Sequence, residues 1–227
     1  MMVRKLLFIP VLLSLLLLKT GRTSAQSSDL GCWIAFNSSL NFNKSIGVHV
    51  DVQLRQYEFI NDFEQSIVRP SLFYNLKEGQ VQFSAGFAWA HTEAYRAGSE
   101  NKRVFDERRL HQQVLFRTRT GRFYINHRYR LEERFFSDRS NLRFRYQVNM
   151  QWPLNKPHLE KGAVYLLLMD ELFVNDRSPV FDRNRLLLSM GYSFSPSLRL
   201  EAGLLLQMFE NSHRAQSLFT LVHSLNL

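Results

Sequence analysis

Apolar and polar residues alternate with a period of two over most of the chain. In "NLRFRYQVNMQWPL" (141–154), Asn141, Arg143, Arg145, Gln147, Asn149 and Gln151 form one row, and Leu142, Phe144, Tyr146, Val148, Met150 and Trp152 form the other. Successive side chains of a strand point to opposite faces, so this segment predicts a strand with one polar and one apolar face. "IGVHVDVQL" (46–54) sets Ile46, Val48, Val50, Val52 and Leu54 against Gly47, His49, Asp51 and Gln53. "QVQFSAGFAWA" (80–90), "RFYINHRYRLEERF" (122–135) and "LRLEAGLLLQ" (198–207) repeat the pattern. Turn signals separate the runs: "NFNKS" (41–45), "KEG" (77–79), "TG" (120–121) and "SPS" (195–197). Longer polar connections, "AYRAGSENK" (94–102), "FSDRSN" (136–141) and "NDRSPVFD" (175–182), alternate with them. The pattern predicts about eleven strands, at 30–42, 45–59, 62–76, 80–94, 104–119, 121–136, 140–153, 160–175, 182–194, 198–210 and 213–227.

Long strands with an aromatic-rich apolar row and an arginine-bearing polar row match a transmembrane β-barrel. There the apolar row faces lipid and the polar row faces the lumen. The expected fold class is all-β: a transmembrane antiparallel up-and-down barrel of about 10–12 strands with a polar, Arg-rich lumen. The rival is a soluble secreted β-barrel binding an apolar ligand. Bacterial single-chain barrels have an even number of strands. The segment 30–42 is therefore suspect. A ten-stranded wall from 45 to 227 and a twelve-stranded one are both open. Trp89, Trp152 and Tyr192 are candidates for interfacial aromatic girdles, with plain lipid-facing bulk as the alternative.

Residues 1–25 read as a secretory signal peptide. Arg4 and Lys5 precede the apolar run "LLFIPVLLSLLLL" (6–18), and Thr23-Ser24-Ala25 is a small-residue cleavage site. Residues 26–227 then form a single barrel domain, and the expected location is the cell outer membrane. The formal charge is +9, from 29 basic and 20 acidic residues. Four of those basic residues and none of the acidic ones lie in the signal, which leaves 25 basic side chains against 20 acidic. That balance, without a basic helix or zinc-finger spacing, gives no support for nucleic-acid binding. The single cysteine, Cys32, makes no internal disulfide. "SDLGC" (28–32) has no apolar residue three places before it, so a buried, inert thiol is expected rather than a lipid anchor.

A two-residue loop at Thr120-Gly121 would pair strands so that position numbers sum to 241. Arg119 then faces Arg122, Glu107 faces Arg134, Arg109 faces Glu132, His111 faces Arg130 and Gln113 faces Arg128. Opposite charges in such positions are favourable cross-strand neighbours. The motifs "DERRLHQQVLFRTRTGRFYINHRYRLEERF" (106–135), "NLRFRYQVNMQWPLN" (141–155) and "DELFVN…FDRNRLLLSMGY" (170–192) have an order and spacing that resembles the domain-of-unknown-function family numbered 2490. The resemblance covers roughly 30–225 and implies a small Gram-negative outer-membrane β-barrel with no established activity. Three features depart from a clean barrel pattern. His127 and Gln112 fall on the lipid-facing row, where polar groups need partners, and the chain ends in Leu227 rather than an aromatic residue.

The candidate site is a lumen ion-pair network of Glu107, Arg109, Arg128, Arg130, Glu132, Arg134, Arg143 and Arg145. Arg55, Arg69, Arg117, Arg119, Arg122, Arg183, Arg185 and Arg199, with Asp51, Glu171 and Glu201, extend the same row. One reading is a structural network that plugs the barrel, leaving a structural or interaction role. A second is a narrow anion-selective channel or acidic-ligand transporter, with small anions as cargo. A third is an outer-membrane lipid hydrolase, but the outward rows flanking His127 supply no serine. The acid pair Glu107 and Glu132 reads as ion-pair partners rather than as a general acid and base. The seven histidines show no ligand spacing and no phosphate loop is present, so no metal or cofactor is expected. The expected partner is the lipid bilayer of the outer membrane.

Overall fold

A computed structural model describes residues 30–96 and 98–227. The expected signal segment, 1–25, lies outside the described residues. The alternating rows become eleven strands: β1 (Gly31–Asn41), β2 (Ile46–Gln56), β3 (Phe63–Leu76), β4 (Val81–Tyr95), β5 (Lys102–Thr120), β6 (Phe123–Phe135), β7 (Ser140–Pro153), β8 (Val164–Asn175), β9 (Phe181–Ser195), β10 (Leu198–Met208) and β11 (His213–Asn226). Each pairs with the next in an antiparallel ladder, and β1 pairs with β11 to close the barrel.

The closure corrects the expected even count. The wall has eleven strands, and the suspect segment 30–42 is one of them. In an up-and-down ring of odd number the first and last strands run the same way, so the closing ladder must be parallel. It runs from Gly31 opposite Gln216 to Asn41 opposite Asn226. Parallel pairing is slightly weaker per residue than antiparallel. It still satisfies the backbone groups that two open edges would expose.

The β5–β6 register is also corrected. Thr120 pairs with Phe123, so the loop is Gly121-Arg122 and every pairing moves by two positions. Gly121 takes φ +60° at the first central position, where a type II′ turn puts glycine. A shift of two keeps every side chain on its face. It changes the partners: Arg109 now stands opposite Arg134, His111 opposite Glu132, and Gln113 opposite Arg130. Arg122 sits in the turn rather than in the lumen.

Short and long connections do not alternate as expected. The longest one, residues 154–163 between β7 and β8, lies at the end with the tight turns. The opposite end carries 57–62, 96–101, 136–139, 176–180 and 209–212.

The lumen is two-sided, which corrects a uniformly polar interior. Arginines and carboxylates from β2, β3 and β5–β9 gather in one ion-paired region, whereas Trp33, Ala35, Tyr165, Leu167, Leu187, Leu205 and Leu218 form a buried apolar cluster along β1 and β8–β11. Tyr165 is wholly buried there and donates its hydroxyl to Glu201 at 2.7 Å. Its ring lies flat on Gly191, where an added Cβ would stand 2.1 Å from Tyr165 Cζ. Gly191→Ala is therefore expected to lower stability by about 1–3 kcal/mol, the usual cost of overpacking. Equilibrium denaturation of the folded protein measures this, and an unchanged midpoint would mean the ring is free to move.

Candidate functional site

Inward alternation brings side chains from five consecutive strands into one charged layer at mid-height. Glu132 on β6 is 1% exposed. It accepts hydrogen bonds from Arg143 (2.5 Å), Arg145 (2.6 Å) and, more distantly, Arg130 (3.5 Å). Glu171 on β8 accepts from the same Arg145 (2.6 Å) and from Arg128 (2.6 Å). Arg185 approaches its other oxygen at 3.8 Å. Arg145 therefore bridges two carboxylates, with Phe173 beneath its guanidinium at 4.4 Å. Arg128 also bonds Gln147, and Arg130 is held by Gln113 at 2.6 Å.

Nearer the long-loop mouth, Glu107 accepts two hydrogen bonds from Arg109 (2.7 and 2.8 Å) and two from Arg134 (2.5 and 3.1 Å). Glu107 thus lies between the two arginines that the register sets opposite each other. Asp182 bridges Arg143 (2.9 Å) and Arg183 (3.1 Å), and Asp51 holds Arg69 (2.9 Å). All eight candidate residues are in this system. Arg55, Arg69, Arg183, Arg185, Asp51 and Glu171 lie around it.

The remaining arginines have other roles. Arg117 donates to Gly79 O, and Arg119 to His158 Nδ1 at 2.6 Å. Arg122 caps the carbonyls of Pro153, Leu154 and Lys156. These bonds fold the connection 154–163 back over the tight-turn mouth, and Leu159 packs against the apolar cluster.

Two cavities flank the charged layer. The one at the long-loop mouth has a volume of about 610 Å³, and the one at the tight-turn mouth about 750 Å³. They share no lining residue, and Glu132, Glu171, Arg128, Arg130 and His111 line neither. Those five side chains, with the apolar cluster, occupy interior that neither cavity reaches.

The loops around the first cavity are clasped together. Asp62 accepts from Tyr95 (2.7 Å) and pairs with Lys102 (2.5 Å), whose ammonium also lies over the Tyr57 and Tyr95 rings. Partial desolvation works to raise the Asp62 carboxyl, but the Lys102 and Tyr95 hydrogen bonds outweigh it and hold it below its ordinary value.

Two serine–histidine hydrogen bonds were not anticipated from the sequence. Ser39 meets His49 Nδ1 inside the barrel, and Ser38 meets His223 Nδ1 on the outer wall, both at 3.0 Å. Ser39 and His49 are directly opposite in the β1–β2 ladder, and Ser38 and His223 in the β1–β11 ladder. The second pair was invisible without the parallel closure. An activated serine needs its base oriented by a third group. Among the described residues no carboxylate hydrogen-bonds either ring. His127 on the outward row meets Tyr146 Oη at 2.9 Å, which satisfies one polar atom on that face. Asp170, also outward, accepts from Asn184 at 2.7 Å. Gln112 is outward and exposed. Trp89, Trp152 and Tyr192 are exposed on the outer wall, Trp152 against Phe123 and Tyr192 against Phe194.

Fold and site define a closed all-β barrel with an arginine-filled lumen. The chain belongs to the family described as "Protein of unknown function (DUF2490)", whose model matches residues 30–217. No curated protein and no solved structure matches the chain.

Proposed function

We propose that this protein is an outer-membrane β-barrel whose lumen is closed by its own ion pairs, so that it acts through its mouths and outer wall rather than by conducting solutes. The observation that carries this reading is the pair of end cavities with no common lining residue, and the buried arginines and carboxylates that neither cavity reaches. The membrane part rests on the wall. Every strand has at least 11 residues, and a tilted strand needs about 9–11 to cross a bilayer. Leu72, Phe87, Leu188, Met190 and Leu204 point outward and are more than half exposed. Of the outward charges, Asp106, Arg108 and Glu133 lie toward the long-loop ends of β5 and β6, where an aqueous interface would lie, and the mid-strand Asp170 has its hydrogen bond from Asn184.

Planar-bilayer recording of the refolded protein tests closure. The expected result is electrical silence from protein that inserts and shows heat-modifiable gel migration. Steady anion-selective steps would replace closure with the narrow-channel reading, in which the arginine excess is the filter.

A further inference from the structure

We infer that the long-loop cavity is a binding site for a small organic oxyanion carrying two or more negative charges, and that Arg55 is its principal anchor. Arg55 sits on β2 at the cavity floor and is 6% exposed. Its guanidinium lies 3.7 Å from the centroid of the Trp33 ring, with Arg185 over the same ring at 4.9 Å. The one side-chain hydrogen bond it makes goes to Gln53 Oε1 at 2.9 Å, and its buried Nε has no partner. Among the described residues no carboxylate lies within 4.0 Å of it. A buried guanidinium without a counter-charge is costly. Every other buried arginine of the lumen has at least one carboxylate in reach.

The surroundings agree. Glu64 and Glu107 are the two carboxylates that line the cavity, and both are committed: Glu64 to Arg214 at 2.8 Å, Glu107 to Arg109 and Arg134. Arg103 and Arg139 at the rim also have no carboxylate within 4.0 Å among the described residues, and their guanidiniums lie over phenylalanine rings. The cavity therefore presents uncompensated positive charge at its floor and at its rim. A single compact ion would neutralise one of these places and not the other. Planar guanidiniums fixed by stacking suit the paired oxygens of phosphate or carboxylate. A volume of about 610 Å³ is within the range of small-molecule sites. Tyr57, Phe105 and Phe209 would flank the ligand's less polar body. This site goes beyond the closed-barrel reading and does not depend on it, because an anion can dock above the charged layer whether or not that layer conducts.

The test uses the full mature chain refolded in a zwitterionic detergent, carrying Trp89→Phe and Trp152→Phe so that Trp33 is the sole indole. Both replaced tryptophans lie on the outer wall. Inorganic pyrophosphate and citrate are titrated while Trp33 emission and heat are recorded. The expected result is saturable one-to-one binding that shifts the emission and weakens with salt. Arg55→Gln should weaken it at least tenfold, and Arg117→Gln, in the opposite cavity, should leave it unchanged. Phosphatidylglycerol added to the micelles separates two sources of the same chemistry: displacement of pyrophosphate assigns a lipid headgroup, and no displacement a soluble anion. Arg55→Met removes the unpaired charge and keeps the apolar stem, so in the absence of ligand it should raise the denaturation midpoint. Binding that does not saturate, or that survives Arg55→Gln, overturns the site. So does an Arg55→Met protein that loses stability but still binds, since Arg55 would then be a structural residue.

Discussion

Glu132→Leu is expected to lower the unfolding free energy by about 3–5 kcal/mol, the range found when one partner is removed from a buried ion pair. The size follows from what remains after substitution. Arg143 keeps Asp182, and Arg145 keeps Glu171. Arg130 keeps only Gln113, so one guanidinium stays buried with no carboxylate beside it. Arg145→Leu removes a charge instead, and its two carboxylates retain Arg143 and Arg128. The smaller loss should therefore come from the arginine, although it bridges two buried carboxylates. Urea titrations of the two variants measure the difference. Equal losses, or a Glu132→Leu loss below about 1 kcal/mol, would mean that water reaches the layer and screens it.

This asymmetry reflects the composition of the interior. Nine arginines share Asp51, Glu107, Glu132, Glu171 and Asp182 through salt bridges, so each carboxylate is held by more than one cation except Asp51. Carboxylates are the scarce component, and losing one strands a charge. Cations are in excess, and among the described residues Arg55 is the buried arginine left without a carboxylate within 4.0 Å.

The strands were legible because burial on one face imposes a period of two, and β7 shows this in nearly every residue. Face assignment followed from reading the apolar row as lipid-facing, which turns the arginine row inward. Register was less legible. The glycine at 121 marked the hairpin but not its place within the loop, and a two-position error leaves the facial pattern intact. The bridging contacts of Arg145 were out of reach because they join β7 to both neighbours at once. The apolar side of the lumen was hidden in "YLLLMD" and "NRLLLSM", where both rows are apolar and alternation carries no sign. The β1–β11 seam joins residues about 185 positions apart, and no local pattern encodes it. The unpaired state of Arg55 is a property of the whole interior, because any of several nearby acids could have served it.

The outer wall gives the second large effect. Leu188 lies at the centre of β9, directly between Leu168 on β8 and Leu204 on β10, and the three are 39%, 52% and 58% exposed in the order 168, 188, 204. If this row faces hydrocarbon, Leu188→Arg should cost about 2–4 kcal/mol in lipid vesicles, the price of a basic side chain at the bilayer midplane. Leu198→Arg, on the same outward face but at the tight-turn end of β10, should cost about 0–1 kcal/mol, because it lies near the interface. Neither variant touches the lumen, so the ion-pair network is unchanged in both. Depth dependence is the discriminating quantity. A barrel in water would tolerate arginine equally at either height, since an exposed surface site has no preferred depth. Refolding yield and urea unfolding in vesicles measure both variants. A flat profile would favour the soluble barrel, and a penalty confined to Leu188 would mark the row as the middle of the membrane.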